Sequence, residues 1–251
     1  MEAALLAWFD EHGRDLPWRR TRNPYAILVS EVMLQQTQVD RVVPHYLEWL
    51  ARWPTAGALA AASLADVIQA WQGLGYNRRA VSLHRAARRI AEQGWPDDLT
   101  ELPGVGPYTA AAVSSFAHKR PVLPVDTNVA RIQERTGETF SHHSGQALMD
   151  LGATICLARI PRCKICPLAF GCPSRGRRYE PRRAQGRFEG SFRQRRANVL
   201  RLVAVEPRPL SELDADAVAA LERDGLVLRS GELVALPGTS EVAQPIRQPA
   251  F

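Results

Sequence analysis

The most restrictive feature of the sequence is a succession of helical segments over roughly the first 175 residues. Apolar residues recur at helical spacing, and glycine, proline and capping residues separate the segments. The two-residue alternation typical of strands is absent there, so we expect no sheet in this region. The separators predict one helix over 2–12, one that begins at Pro24 and one that runs from the cap Thr37 to about Arg52. Further helices are predicted from the cap Ser63 through LADVIQAW, over 76–93, from Pro107 onward, and from the cap Asp126 to about Arg135.

The remainder of the chain has a different composition. Residues 176–190 are expected to form an exposed basic linker, because RGRRYEPRRAQGR holds six arginines in thirteen residues and no large aliphatic residue. Residues 191–240 are expected to form a small module, with a helix over Leu210–Asp224 and two short strands around Ser230–Gly231. A helix followed by a β-hairpin is typical of a winged-helix-like unit. The last dozen residues are expected to be frayed.

Length, charge and hydropathy narrow the class of protein. The chain has 251 residues, enough for one large domain or two modest ones, and a formal charge of +6 that favours polyanions such as nucleic acid. We expect no membrane association, because no apolar run approaches spanning length. The start MEAALLAWFDEH lacks the basic region of a signal peptide. A cytoplasmic location is therefore expected, where cysteines remain thiols or metal ligands.

Four cysteines fall within seventeen residues, at Cys156, Cys163, Cys166 and Cys172. Four thiolates this close would repel one another unless a cation or cluster neutralised them. Zinc is one candidate, although four-thiolate zinc sites usually combine two C-x2-C pairs and this spacing contains one. An iron–sulfur cubane is larger and tolerates longer loops between its ligands. We therefore expect a structural [4Fe-4S] cluster, since all four ligands are protein thiolates.

Two other segments suggest chemistry. Glu31 lies within YAILVSEVMLQQTQVD, where nearly every residue from Ala26 to Leu34 is apolar. Either the carboxyl group faces solvent at one helix edge, or it is buried, and burial would raise its pKa and keep it protonated near neutrality. In LPGVGPYTA, Gly104 and Gly106 lie between two helices. The segment is an ordinary helix–helix turn or a hairpin whose N–H groups bind DNA phosphates.

Four features follow one another along the chain: SEVMLQQTQV, then GLGYNRRA, then LPGVGPYTA with VDTN, and finally the cysteine spacing. Over about residues 5–175 the chain resembles the adenine DNA glycosylase (MutY) branch of the helix-hairpin-helix glycosylases. The resemblance implies a two-lobed, all-α fold with a four-cysteine iron–sulfur loop, in which the target base is flipped out of the duplex. By analogy, residues 20–125 form a six-helix lobe with the hairpin, and residues 1–19 and 126–175 form the cluster lobe.

The resemblance also implies catalytic roles. Glu31 would protonate N7 of adenine, and Asp126 would stabilise the positively charged sugar, directly or through a transient covalent bond. Tyr108 and Asn128 would hydrogen-bond Asp126 and position it. Each residue also has a plainer interpretation, since Asp126 is a good helix cap, Tyr108 could be a core residue and Asn128 a surface amide. A lysine at the Tyr108 position cuts the strand in the endonuclease III branch, so no lyase activity is expected, and Lys119 does not replace it.

Contacts with the partner base are implied for two further segments. Tyr76 would wedge beside that base next to Leu74, and Gln35, Gln36 and Thr37 would lie near it. The alternative for Tyr76 is an aromatic residue that packs on the core at a helix start. The alternative for Gln35, Gln36 and Thr37 is an ordinary polar helix end. The arginines of the basic helix form either a solvated face or a set of phosphate contacts. They are Arg78, Arg79, Arg85, Arg88 and Arg89.

The sequence departs from the family pattern at two places. Thr127 stands where Gly is usual between Asp126 and Asn128, and a β-branched residue restricts the backbone near the base pocket. Only some 65 residues follow Arg187, too few for the Nudix-like domain that checks for 8-oxoguanine in many members. Phe140-Ser141-His142 spells a triplet of that domain, but in the wrong lobe, and we interpret the match as chance.

Three functions remain open from the sequence. The leading one is a monofunctional, monomeric glycosylase acting on double-stranded DNA, which removes adenine opposite 8-oxoguanine or guanine. Thr127 suggests a mismatch thymine or uracil glycosylase instead, although N7 protonation by Glu31 is purine chemistry. A non-catalytic DNA damage-binding protein is the third, and the presence of both carboxylates argues against it.

Overall fold

The computed structural model describes residues 1–180 and 186–239. This part of the chain is mostly helical, as the sequence predicts, and the first 175 residues contain no strand within it. Its eleven α-helices are α1 (Glu2–His12), α2 (Pro24–Leu34), α3 (Val39–Arg52), α4 (Ala56–Ala60), α5 (Leu64–Ala70), α6 (Arg78–Gln93), α7 (Pro107–Phe116), α8 (Thr127–Thr136), α9 (Gly145–Thr154), α10 (Phe192–Val205) and α11 (Ala215–Arg223).

The local signals placed most of these helix ends correctly. Ser63 caps α5 by accepting a hydrogen bond from the Asp66 N–H, and Gly94 ends α6 in a left-handed conformation. Two expectations were wrong. Gln38, not Thr37, precedes α3, because the Thr37 hydroxyl is engaged by the Leu74 carbonyl instead. The basic helix α6 begins at Arg78, two residues later than predicted.

The chain divides into two compact units. The first contains residues 1–31 and 105–180, and its core joins α1, α8 and α9 through buried residues such as Leu5, Val129 and Leu148. Phe140 packs into this core, while Ser141 donates hydrogen bonds to Glu2. Both residues are thereby engaged in the fold of the unit, which agrees with a chance match to the Nudix-like triplet.

The second unit contains residues 32–104 and 186–239. Three tryptophans pack edge to face within it, with Trp49 lying 4.7 Å from Trp53 and 5.4 Å from Trp71 between ring centroids. A further cluster joins buried residues of α5 and α6, such as Ile68 and Val81, to the C-terminal helices. The C-terminal segment therefore shares its core with α5 and α6.

Within that segment the structure differs from the prediction in two ways. The predicted helix over Leu210–Asp224 is a 3₁₀ turn (Leu210–Glu212) followed by α11, because Asp214 caps α11 through the Ala217 N–H. The helix α10 was not anticipated. The two predicted strands are present as β2 (Leu228–Ser230) and β3 (Leu233–Ala235), and a third, β1 (Arg208–Pro209), pairs antiparallel with β3.

Several expectations about organisation stay predictions. The lobe boundaries at 20–125 and at 126–175 are among them, as is the winged-helix-like character of residues 191–240. Part of the predicted basic linker and the predicted frayed end lie outside the described residues. Among the helices that the structure describes, none combines the length and the apolar character that crossing a bilayer requires.

Candidate active site and cysteine cavity

Glu31 is buried near the end of α2, with only 6% of its surface exposed. The pKa of its carboxyl group is raised to about 7, mainly by burial and in part by the nearby negative charge of Asp126. A hydrogen bond from Tyr108 and the positive charge of Arg19 act in the opposite direction. The apolar sequence around Glu31 therefore does bury it, and this carboxyl group can carry a proton near neutral pH.

Tyr108, in the first turn of α7, donates a hydrogen bond to Glu31 and feels the charge of Asp126, while the bond to Asp126 that the resemblance implied stays a prediction. Burial raises the pKa of its hydroxyl above the usual range, and the charges of Glu31 and Asp126 add to this effect. The Tyr108 hydroxyl therefore keeps its proton and serves as a hydrogen-bond donor. Two acids and one phenol lie close enough to influence one another's protonation.

Asp126 caps α8, and its side chain is held from three directions. Oδ1 accepts the backbone N–H groups of Asn128 at 2.9 Å and Val129 at 2.7 Å. Oδ2 accepts the Asn128 side-chain amide at 2.8 Å, as the resemblance implied for Asn128. A helix N-terminus favours negative charge, so these contacts suit an ionised carboxylate. Capping and a charged role are compatible at this position.

Two residues that the sequence did not single out hold Asn128 in place. The Arg131 guanidinium donates to the Asn128 amide oxygen at 2.7 Å and to the Gly152 carbonyl at 2.8 Å. A Cβ atom on Gly152 would lie 2.5 Å from the Cβ of Asn128, so only glycine allows α9 to approach this closely. Arg131 also donates to the Cys156 carbonyl at 2.9 Å, which links the support of Asp126 to the cysteine segment.

A second buried carboxylate, Asp150 on α9, was also missed. Arg19 binds both of its oxygens at 2.8 Å, and Arg14 adds a backbone and a side-chain hydrogen bond. Burial alone would raise the pKa of Asp150, but the bonds from Arg19 and Arg14 outweigh it and lower the pKa. Asp150 lies in the apolar run ALMDLGA, so the signal that identified Glu31 could have identified it too.

The two glycines of the predicted hairpin have different roles. Gly104 has a φ of +79°, and a Cβ atom there would lie 2.6 Å from the Cβ of Ser82. Gly106 precedes α7 with an extended backbone, and nothing lies within 4 Å of a Cβ at that position. The turn therefore requires glycine at position 104, whereas Gly106 exposes the N-terminus of α7.

The expected partner-base residues belong to the second unit. Gln35, Gln36 and Thr37 follow α2, and Leu74 and Tyr76 precede α6. Leu74 is buried, whereas Tyr76 is 45% exposed. Thr37 and Leu74 meet through a hydrogen bond of 3.2 Å from the Thr37 hydroxyl to the Leu74 carbonyl.

The arginines of α6 do not form one uniform surface. Arg79 donates to backbone carbonyls of both segments, so it is not part of a solvated face, whereas the phosphate contacts of the basic helix stay a prediction. Arg78, Arg88 and Arg89 pair with Asp224, Glu92 and Glu101, respectively. These three arginines are partly neutralised in the unbound protein.

The four cysteines line one cavity in the first unit. The pKa of the Cys166 thiol is raised to about 11, mainly by burial and in part by the other three sulfurs, so the four cysteines together favour a bound cation. Arg135 donates to Cys156 Sγ at 3.3 Å, and the Gly176 N–H donates to Cys163 Sγ at 3.3 Å. Within residues 1–180 and 186–239, no three His, Cys, Asp or Glu side chains are placed so that they could hold a single metal ion.

Known proteins were compared with the chain and with its fold. Residues 29–151 match the HhH-GPD superfamily base excision DNA repair protein model. A Mycolicibacterium smegmatis protein named adenine DNA glycosylase is 40% identical, over 96% of this chain and 97% of its own length. The Mycobacterium tuberculosis protein of that name is also 40% identical, over 93% of this chain and 92% of its own. A solved thermostable thymine-DNA glycosylase superimposes with a TM-score of 0.62 at 26% identity, over 68% of this chain and 93% of its own.

Proposed function

Because the chain belongs to the adenine DNA glycosylase family, within the helix-hairpin-helix superfamily of base excision repair proteins, we propose that it hydrolyses the N-glycosidic bond of adenine mispaired with 8-oxoguanine or guanine. The observation that carries this proposal is the buried Glu31, whose pKa of about 7 leaves a proton available at neutral pH. Double-stranded DNA containing the mispair is the proposed partner. We further propose that the protein acts as a monomer in the cytoplasm, at the nucleoid.

In the proposed first step, Glu31 donates its proton to N7 of the flipped adenine. Protonation makes the base a better leaving group, and the bond from C1′ of the sugar to the base breaks with its electron pair moving to adenine. The apolar surroundings of Glu31 support this role, because they hold the acid in its neutral form until substrate accepts the proton. The charge of Asp126 supports it as well, since it raises the pKa of Glu31.

Asp126 is proposed to stabilise the positively charged sugar that remains. Its three hydrogen bonds hold the carboxylate in one orientation, and Asn128 is itself held by Arg131. A preorganised anion of this kind lowers the energy of a cationic transition state without having to reorganise. Water then attacks the sugar and completes the hydrolysis.

We propose that the enzyme does not cut the DNA strand. The Tyr108 phenol cannot form the Schiff base that a lysine would form with the opened sugar. Lys119 lines a different cavity, together with Arg22, His142 and His143. Borohydride treatment of the wild type with its substrate should therefore leave no covalent protein–DNA adduct.

Cys156, Cys163, Cys166 and Cys172 are proposed to hold a structural [4Fe-4S] cluster. All four line one cavity, and their spacing, with one C-x2-C pair and longer loops to the other two, suits a cubane better than a zinc ion. When bound, the cluster supplies the positive charge that the thiolates need and has no open ligand position for chemistry. Arg135 fixes the segment around Cys156 through the Leu157 carbonyl at 2.8 Å and the Ala158 carbonyl at 2.7 Å.

Recognition of the partner base is proposed for Gln35, Gln36, Thr37, Leu74 and Tyr76, and phosphate binding for the hairpin around Gly104 and Gly106. The left-handed backbone of Gly104 and the free N-terminus of α7 support the second assignment.

A decisive test uses duplexes that carry A:8-oxoG, A:G, T:G and U:G pairs. The protein is incubated with each duplex in single-turnover conditions, the products are treated with alkali, and the rates are compared with those of Glu31→Gln and Asp126→Asn. Release of adenine alone, lost in both variants, is the expected result. Release of thymine or uracil would favour the alternative activity suggested by Thr127, which lies exposed at the first position of α8. Binding without base release would favour a damage-binding protein.

A further inference from the structure

One guanidinium group joins the two segments of the second unit that are proposed to contact the partner base. Arg79 Nη1 donates to the carbonyl of Gln35 at 2.5 Å, and Nη2 donates to the Thr37 hydroxyl at 3.0 Å. Nη2 also donates to the carbonyls of Leu74 at 3.2 Å and Gly75 at 2.9 Å. The 35–37 and 74–76 segments are distant in sequence, and Arg79 bonds both of them.

The same side chain also binds the end of α2. Nη1 donates to the carbonyls of Val32 at 2.8 Å and Met33 at 2.9 Å. Carbonyls in the last turn of a helix lack helical partners and carry partial negative charge, so they suit a cation. Among the described residues, no carboxylate forms an ion pair with Arg79, and its charge is balanced by carbonyl dipoles and by the rings of Trp71 and Tyr76.

Both segments contain a residue in an unfavourable backbone conformation. Gln36 has a φ of +57° and Tyr76 a φ of +47°, values that residues other than glycine rarely adopt. Such conformations persist only when the surrounding structure holds them. The Arg79 contacts lie directly beside both residues, at Gln35 and Thr37 on one side and at Gly75 on the other.

We propose that Arg79 is a positioning residue for recognition of the partner base. It fixes the strained 35–37 and 74–76 segments relative to each other, so that Tyr76 and Gln36 meet the base opposite adenine in one geometry. This inference rests on the proposed function, because it assigns a support to residues that the proposed function places at the partner base. Arg79 itself does not touch the DNA.

Lysine cannot replace arginine at this position. The planar guanidinium presents donors from three nitrogen atoms in a fixed fork, whereas the ammonium of lysine concentrates three donors at one point. The acceptors around Arg79 belong to two stretches of chain, 32–37 and 74–76, and they lie on different sides of the guanidinium, so one ammonium cannot bond them all. Burial lowers the pKa of Arg79 to about 10, which still leaves the group charged at neutral pH.

The test separates partner recognition from chemistry by removing the partner base. Single-turnover adenine release is measured for Arg79→Lys on two duplexes, one with 8-oxoguanine opposite adenine and one with a stable abasic-site analogue there. The rate on the 8-oxoguanine duplex divided by the rate on the abasic duplex is expected to fall at least about tenfold below the wild-type ratio. This fall is equivalent to about 1.4 kcal/mol of relative transition-state stabilisation. The rate on the abasic duplex is expected to match that of the wild type.

Arg78→Lys is the matched control, since it makes the same change at the adjacent, exposed arginine and keeps the charge that pairs with Asp224. It should keep the wild-type ratio. Gly75→Ala leaves the Arg79 side chain in place but strains the backbone of the 74–76 segment, because Gly75 has a φ of +72°, and the added Cβ meets no other atom within 4 Å. It should reproduce the selective loss, and it carries the test if Arg79→Lys does not fold.

Two outcomes would overturn the inference. One is an equal fall in both rates, which would mean that Arg79 supports only the fold or the chemistry. The other is an unchanged ratio in folded Arg79→Lys or Gly75→Ala protein, with folding checked by circular dichroism. A wild type that released adenine equally fast from both duplexes would instead remove the partner-base part of the proposed function. The failure of the premise is thus distinguishable from the failure of the inference.

Discussion

The buried acid at position 31 makes the stability of the protein depend on pH in a specific way. Its pKa rises from 4.5 in the unfolded chain to about 7 in the folded protein, mainly because of burial. The folded state therefore binds the Glu31 proton more tightly than the unfolded state does. Its contribution to stability is complete below pH 4.5 and is lost as the pH rises through about 7.

The size of the effect follows from the same two values. A change from 4.5 to about 7 corresponds to about 3 kcal/mol, at about 1.4 kcal/mol for each pKa unit. Glutamine at this position has nearly the same shape and no ionisable group. The unfolding free energy of Glu31→Gln relative to the wild type should therefore increase by about 3 kcal/mol between about pH 4 and about pH 8.

Urea denaturation of both proteins across this range measures the difference directly, because the contributions of all other titrating groups largely cancel. A difference that stayed constant between acidic and basic pH would mean that Glu31 has an ordinary pKa and is not held neutral by burial. A wild type that gained stability relative to Glu31→Gln as the pH rose would mean that a positive charge stabilises the ionised form. Either result would refute the argument for Glu31 as the proton donor.

Three further changes test separate parts of the site. Tyr108→Phe removes a hydrogen bond that lowers the pKa of Glu31, so the alkaline limb of the pH–rate profile should move to higher pH, and an unmoved limb would contradict the contact. Asp126→Asn keeps a good helix cap, so the melting temperature should stay nearly unchanged while the single-turnover rate falls on the order of a hundredfold or more. Asp126→Ala should lose the same activity and also about 1 kcal/mol of stability in thermal unfolding. A rate that fell only in the Ala variant would reduce Asp126 to a cap. Gly104→Ala should weaken duplex binding in an equilibrium titration, because a Cβ atom there would lie 2.6 Å from the Cβ of Ser82, and unchanged binding would contradict the proposed role of the hairpin.

The sequence alone determined the helical class, most helix ends and the family. Capping and punctuation act within a few residues, so Ser63, Gly94, Pro107 and Asp126 set their helix boundaries without help from the rest of the fold. The motifs around Glu31, the hairpin and the cysteines carried the resemblance, and the comparisons with known proteins confirm it. Those motifs also supplied the catalytic assignment, which stays a proposal.

Tertiary structure decided where the polar side chains point. Thr37 looked like a cap and Arg79 like a surface cation, yet each bonds a backbone segment that is remote in sequence. Tyr108 donates a hydrogen bond to Glu31, a contact that the sequence did not predict. Local patterns reveal which groups can donate or accept, but the partner of a buried donor is chosen by packing, which brings distant backbone within hydrogen-bond range and excludes the water that would otherwise compete.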